Sequence, residues 1–217
     1  MRVLVVDDQD LFRAGFRLIL DTQPGITVIG EAADGLEAVE RALELQPDVV
    51  VMDVRMPRMD GVAATARICA ETSAKVLVLT MFHLDEYVYA ALRAGASGFL
   101  LKDLRREQLV EAVRVIAAGD ALLAPTVTRR LIADLAHRGH PRTDLTRRLE
   151  TLTEREGEIL RHLARGLSNA ELAATLVLSE HTVKSHISSV LTKLTLRDRA
   201  QAVVFAYESG LIVPGRD

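Results

Sequence analysis

The sequence predicts two domains, a doubly wound α/β domain followed by an all-α one, and three observations carry this. Short β-branched runs alternate with helical patterns up to about Gly119. Strand signals stop altogether from Leu152 onward. A chain of 217 residues with 49% hydrophobic content can bury one good core or two small ones, because domains commonly run about 100 to 150 residues.

Taken in order, the first strand is expected at 3–6 and four more at 27–29, 49–52, 76–80 and 98–101. The segments between them, such as 35–45 and 86–94, place apolar residues at helical spacing, and Asp34 stands where it can cap the first. About five βα units in about 120 residues fit a flavodoxin-like (βα)5 sheet with helices on both faces. Residues 120–148 read as a linker holding one helix at 126–137, because the run RGHPRTD is rich in breakers. Short helices follow at 154–165, 170–176, 180–194 and 199–209, with Asn169, Ser179 and Asp198 as starts and Gly166 and Gly210 as stops. The expected organisation is therefore 1–119, a linker at 120–148, and 149–217.

Composition narrows the class. Cys69 is the only cysteine, so an internal disulfide is excluded and a reducing cytoplasm suits the chain. The opening MRVLVVDDQD places two aspartates directly after a short apolar run, and no later run approaches the roughly 18 apolar residues needed to cross a bilayer. A soluble, cytoplasmic protein with no membrane partner is expected. The net charge of −3 is uneven: from Arg142 onward there are about 11 basic and 10 acidic residues, against about 16 and 20 before it. That asymmetry is too small to establish nucleic-acid binding, so motifs must carry the argument.

In an open parallel sheet, ligands bind beyond the carboxyl ends of the strands. Asp7 and Asp8 follow the first strand, Asp53 ends the third, Thr80 ends the fourth and Lys102 follows the fifth. Singly, each has a structural explanation: an acid pair starting a helix, a strand threonine, a loop lysine. Together they predict one shared site. Crowded carboxylates raise one another's pKa unless a cation neutralises them, and Mg²⁺ takes hard oxygen ligands of this kind. With such a cation bound, Asp53 can stay ionised and attack a phosphoryl group, while Lys102 and the Thr80 hydroxyl face the phosphoryl oxygens.

The runs VVDDQD, MDVRMPRMDG, VLTMF and GFLLKD, in this order and spacing, resemble the receiver domain of two-component response regulators over about the first 119 residues. The resemblance implies Asp53 as phosphoacceptor and Asp7 and Asp8 as Mg²⁺ ligands with Asp53 and the Arg55 carbonyl. It implies Lys102 as phosphoryl partner and Thr80 as the switch hydroxyl. Phe99 stands at the switch aromatic position, where the ring carries no hydroxyl; as a plain alternative it is simply a core residue.

In the tail, Val183, Ile187, Val190, Leu191 and Leu194 form one apolar stripe on the helix from Glu180, opposite His181, Lys184, Ser185, Ser188 and Thr192. A short helix, a turn around 177–179 and this longer helix make a helix-turn-helix, whose second helix enters the major groove. The landmarks LTEREGEIL, GLSNAELA and TVKSH resemble the LuxR-type output module over about 149–211, and the pairing with a receiver resembles the NarL/FixJ-type regulators. That resemblance implies Lys184, Ser185 and Ser188 as groove contacts, with Thr182, His186 and Lys193 nearer the DNA backbone. Thr195 stands where the family usually has glycine, so a positive φ there costs a β-branched residue about 1 to 2 kcal/mol.

The expected function is a transcription regulator in which a sensor histidine kinase phosphorylates Asp53 and a phosphorylated homodimer binds double-stranded DNA. Its final helix completes the contact between modules, and RNA polymerase is an open further partner. Two modules joined raise avidity by about 10² to 10⁴ over one. Two other readings share the acid set. A hydrolase using Asp53 as nucleophile wants a further acid or base, which the matched motifs do not supply. A module indifferent to phosphate would bind DNA equally well after Asp53→Asn.

Overall fold

Runs of valine and leucine build a wholly parallel sheet in the first half of the chain. Its strands are β1 (Arg2–Val6), β2 (Thr27–Ala32), β3 (Val49–Asp53), β4 (Lys75–Thr80), β5 (Gly98–Leu101) and β6 (Leu122–Leu123), in spatial order β2-β1-β3-β4-β5-β6. The computed structural model describes residues 1–81, 85–119, 122–123 and 143–212. These belong to two compact units, Met1–Ala124 and Pro125–Asp217. All five expected strands are present. β2 runs three residues further than the apolar pattern suggests, and β6 is too short for any periodicity to announce it.

Five helices cover the sheet: α1 (Asp10–Asp21), α2 (Gly35–Leu45), α3 (Gly61–Glu71), α4 (Asp85–Arg93) and α5 (Arg106–Ala117). Val3, Val5, Val49, Val51, Leu77 and Leu79 point to one face and pack with Phe16 and Leu20 of α1 and Leu109, Val113 and Ile116 of α5. Strand alternation sends Leu4, Val6, Val50, Met52, Val76 and Val78, all buried, to the face covered by α2, α3 and α4. A sheet buried on both sides explains why these strands read as unbroken apolar runs. The expected cap of α2 is made: Asp34 Oδ1 accepts from the Leu36 and Glu37 amides at 2.9 and 3.1 Å.

The second unit is helical: α6 (Thr143–Leu149), α7 (Glu154–Ala164), α8 (Asn169–Leu176), α9 (Glu180–Lys193) and α10 (Arg199–Glu208). The helix expected at 126–137 lies outside the described residues. α6 was not expected; seven residues inside a breaker-rich stretch are too few for a helical pattern to stand out. It packs on the last helix, where Thr146 donates to the Ser209 carbonyl at 3.2 Å. Ser168, rather than Asn169, caps α8: its hydroxyl accepts from the Glu171 amide while Glu171 accepts from the Ser168 amide. The missed signal was the capping box S-x-x-E. Gly166 and Gly210 end their helices with φ of 89° and 75°, as helix stops of this type require.

The apolar stripe of α9 faces inward, with Val183, Val190 and Leu194 fully buried. Thr195 adopts φ 47°, the left-handed conformation, and the turn into α10 forms through Leu196 N–H donating to the Leu191 carbonyl at 2.8 Å. A β-branched side chain is strained there by about 1 to 2 kcal/mol, whereas glycine adds about 0.4 to 1 kcal/mol of chain entropy to the unfolded state. Thr195→Gly should therefore stabilise the second unit by roughly 0.5 to 1 kcal/mol. Denaturant titration would show the midpoint moving up; a midpoint that falls would mean that the threonine is not strained.

α9 is tied to α7 by a buried acid. Glu156 Oε2 accepts from Lys193 Nζ at 2.7 Å and from the Thr153 amide at 2.8 Å. Burial alone would raise the Glu156 carboxyl, but the Lys193 ammonium and the Thr153 backbone and side chain outweigh it and hold its pKa below the ordinary 4.5. A depressed carboxylate contributes stability above its ordinary pKa that is lost as pH falls through the folded value. Acid unfolding followed by circular dichroism should thus be steeper below about pH 4.5 for the native chain than for Glu156→Gln, whose stability lacks this acid-dependent part. Equal acid slopes for the two proteins would refute the assignment.

Candidate functional site

Because every strand of the sheet runs the same way, their carboxyl ends share one edge, and the predicted residues meet there. Asp7 follows β1, Asp53 ends β3, Thr80 ends β4 and Lys102 follows β5, with the Lys102 amide donating to the Thr80 carbonyl at 2.8 Å. The Lys102 ammonium lies 2.7 Å from Asp7 Oδ2 and 3.0 Å from Asp53 Oδ1, and its side chain is 1% exposed. Among the described residues, Asp7 Oδ2 and Lys102 Nζ have no hydrogen-bond partner beyond these ion pairs. Burial pushes the Asp53 carboxyl above the usual aspartate range; Lys102 pulls it down, Asp7 pushes it up, and the net direction is upward.

Carboxylate oxygens of Asp7, Asp8 and Asp53 lie within 4.8 Å of one another, Asp7 and Asp53 buried and Asp8 exposed. Asp8 and Asp53 border a cleft of roughly 250 Å³, lined also by Gln9, Arg55, Thr80, Met81 and Lys102. An all-oxygen set of this charge, with a buried Asp7 oxygen lacking a hydrogen bond, fits a hard divalent cation such as Mg²⁺. Phe99 is 1% exposed and packs in the sheet; it does not line the cleft.

The loop after Asp53 is fixed by close backbone approach. Gly61 N–H donates to the Val54 carbonyl at 2.8 Å, and a Cβ at Gly61 would lie 1.9 Å from the Asp53 carbonyl oxygen. On the other side, Arg13 donates to the Asp7 carbonyl at 2.8 Å, and the Phe12 ring centroid lies 4.7 Å from Lys102 Nζ. Sequence reasoning missed Gly61, Arg13 and Phe12. Gly61 closes the run MDVRMPRMDG, but its contact with the Asp53 carbonyl is a tertiary fact.

In the second unit, His181, Lys184, Ser185, Ser188 and Thr192 of α9 are exposed, and Thr182 and His186 are half-buried. Ser185 Oγ donates to the His181 carbonyl at 3.2 Å, and the Thr182 hydroxyl sits 2.8 Å from the Ser179 hydroxyl at the helix cap. Lys193 is paired with Glu156, so a DNA-backbone role for it competes with a structural tie. The final helix, expected to complete a contact between modules, is buried from Ala202 to Tyr207, and Arg148 of α6 lies 5.1 Å from the Phe205 ring centroid.

A parallel sheet with an acidic, lysine-bridged edge, followed by a helix-turn-helix, defines a receiver joined to a DNA-binding output. Comparison with known proteins agrees. The family described as "Response regulator receiver domain" matches residues 3–114, and "Bacterial regulatory proteins, luxR family" matches residues 150–206. Among curated relatives, the uncharacterized transcriptional regulatory protein YxjL of Bacillus subtilis (strain 168) is 42% identical over 98% of this chain and 97% of its own length. The transcriptional regulatory protein LiaR of the same organism is 41% identical over 98% of this chain and 99% of its own. The crystal structure of the response regulator ChrA, from a heme-sensing two-component system, superposes with TM-score 0.53 at 38% identity, covering 97% of this chain and 98% of that one. The chain belongs to the response regulators that pair a receiver domain with a LuxR-type DNA-binding domain, and it is a transcription regulator. No helix among the described residues is long and apolar enough to cross a membrane.

Proposed function

We propose that this regulator is switched by phosphorylation of Asp53 by a sensor histidine kinase, that the phosphorylated chain pairs, and that the pair binds sequence-specific sites on double-stranded DNA in the cytoplasm. In this reading 1–119 is the receiver and 149–217 the DNA-binding domain, with α6 of the intervening 120–148 segment lending packing to the latter. The observation that carries the proposal is the buried Lys102 ammonium held between Asp7 and Asp53 at the wall of an open cleft.

Asp7, Asp8, Asp53 and the Arg55 carbonyl would hold Mg²⁺, which supplies charge neutralisation for the carboxylates and the phosphoryl oxygens. An Asp53 carboxylate oxygen attacks phosphorus, the bond from phosphorus to the donor's leaving group breaks, and that group departs with the electron pair. Lys102, once released from its carboxylates, faces one phosphoryl oxygen and the Thr80 hydroxyl another. The new charge of roughly −2 draws Lys102 and Thr80 inward and favours a receiver surface that pairs; Phe99, already buried in the sheet, has no inward move left to make and serves as core at the switch position. Pairing through α10 requires the face now buried against its own chain to open. On DNA, Lys184, Ser185 and Ser188 read the major groove, with Thr182 and His186 nearer the backbone and Lys193 free to join them only by leaving Glu156.

The test is incubation with a small phosphodonor and Mg²⁺, comparing the native chain with Asp53→Asn by intact mass, size exclusion and DNA mobility shift. The native chain is expected to gain one phosphoryl group, double in mass and bind DNA about 10² times more tightly, with none of these in the variant. Phosphoryl uptake by the Asp53→Asn variant, or uptake without any change in mass or DNA affinity, refutes it.

A further inference from the structure

The Lys102 ammonium is buried with two carboxylates and one aromatic face around it: Asp7 Oδ2 at 2.7 Å, Asp53 Oδ1 at 3.0 Å and the Phe12 ring centroid at 4.7 Å. Both carboxylates belong to the oxygen cluster that suits a divalent cation. A cation bound there draws the lone pairs of Asp7 and Asp53 to itself and repels the ammonium. The phenyl face has no lone pair for a metal to take, and its quadrupole attracts a desolvated ammonium most strongly where water is excluded.

We propose that Phe12 is a positioning residue that keeps Lys102 aimed at the phosphoryl group when the carboxylates are occupied by the cation. The inference rests on the proposed phosphoryl chemistry and adds to it the group that orients the lysine. The helix carrying the ring is itself well anchored. Phe12 packs against the sheet core and lies 5.9 Å, ring to ring, from buried Phe16, and its neighbour Arg13 donates to the Asp7 carbonyl at 2.8 Å and to Asp10 at 2.5 Å. The first turns of α1 thus grip the site twice, by the backbone of one metal-binding aspartate and by the ammonium opposite it.

The experiment replaces Phe12 with phenylalanines bearing one, two and three ring fluorines, which weaken the quadrupole with little change of shape. Asp53 phosphorylation from a small donor is timed at saturating Mg²⁺, and Mg²⁺ affinity is measured separately. The rate should fall stepwise with each fluorine, to about a tenth for the trifluoro ring, with Mg²⁺ affinity within about twofold. Phe12→Leu should lose about as much and Phe12→Tyr should recover most of the rate. In a Lys102→Met background, Phe12→Leu should make no further difference to the rate. As a readout independent of phosphorylation, the Lys102 ε-methylene resonances should be ring-current shifted in the native chain and relax toward ordinary positions in Phe12→Leu. Equal rates across the fluorinated series, or unshifted lysine resonances in the native chain, overturn the inference while leaving the proposed function intact. A native chain that takes up no phosphoryl group at all overturns the proposed function first, and the inference with it.

Discussion

Gly61→Ala is expected to destabilise the receiver by about 3 kcal/mol and to slow phosphorylation of Asp53 by at least about tenfold. The added methyl carbon would sit 1.9 Å from the Asp53 carbonyl oxygen and 3.0 Å from the Val54 Cα, and neither neighbour is a flexible side-chain end. Something in the backbone must move. α3 is held at this point by Asp60, which accepts from the Ala63 amide at 2.8 Å, and by the Gly61 amide on the Val54 carbonyl. The helix and the strand end therefore cannot both keep their places. Displacing the strand end carries the Asp53 carboxylate away from Lys102, and a misplacement of about 1 Å costs roughly 10²-fold when geometry is the main contribution to rate. Thermal unfolding and timed intact-mass measurements check both parts; a variant with native stability would mean that the loop has room the structure does not show.

That glycine marks where sequence reading reaches its limit. The fold was legible because parallel strands buried on both faces are written as apolar runs, and because the strand ends carry Asp7, Asp53, Thr80 and Lys102 to one edge whatever the loops do. The stripe of α9 was legible for the same reason, since Val183, Val190 and Leu194 repeat at the helical period. What stayed hidden depends on contacts between segments far apart in the chain. Phe12 reads as one more apolar position on α1, although Lys102 lies over its ring. Lys193 reads as a surface cation near DNA, although Glu156, 37 residues earlier, claims it. Thr195 lies between these cases: the departure from glycine was visible in the sequence, and the strain became definite only with φ at 47°.

Lys102→Met should slow phosphorylation by about 10² to 10³ and should make the receiver's stability depend on divalent cation. The ammonium is buried between two carboxylates, and removing one member of a buried ionic cluster costs about 3 to 5 kcal/mol because the remaining charge is left uncompensated. Methionine replaces most of the volume, so the loss is electrostatic. On the proposed chemistry, Mg²⁺ held by the aspartates would supply the missing positive charge and return most of the stability, but it would not take the place of the ammonium on the phosphoryl oxygen, so the rate should stay low. The pH dependence has a definite sign. Burial already holds the Asp53 carboxyl above the ordinary aspartate range against the pull of Lys102, and without that pull it rises further. A raised carboxyl favours the folded state below its ordinary pKa and loses that advantage as pH climbs through the folded value. The metal-free variant should thus approach native stability in acid and fall away toward neutral pH. Unfolding titrations with and without Mg²⁺ across that range decide the matter: a variant that is equally stable at neutral pH with and without the cation would show that Asp7 and Asp53 do not need a positive charge between them.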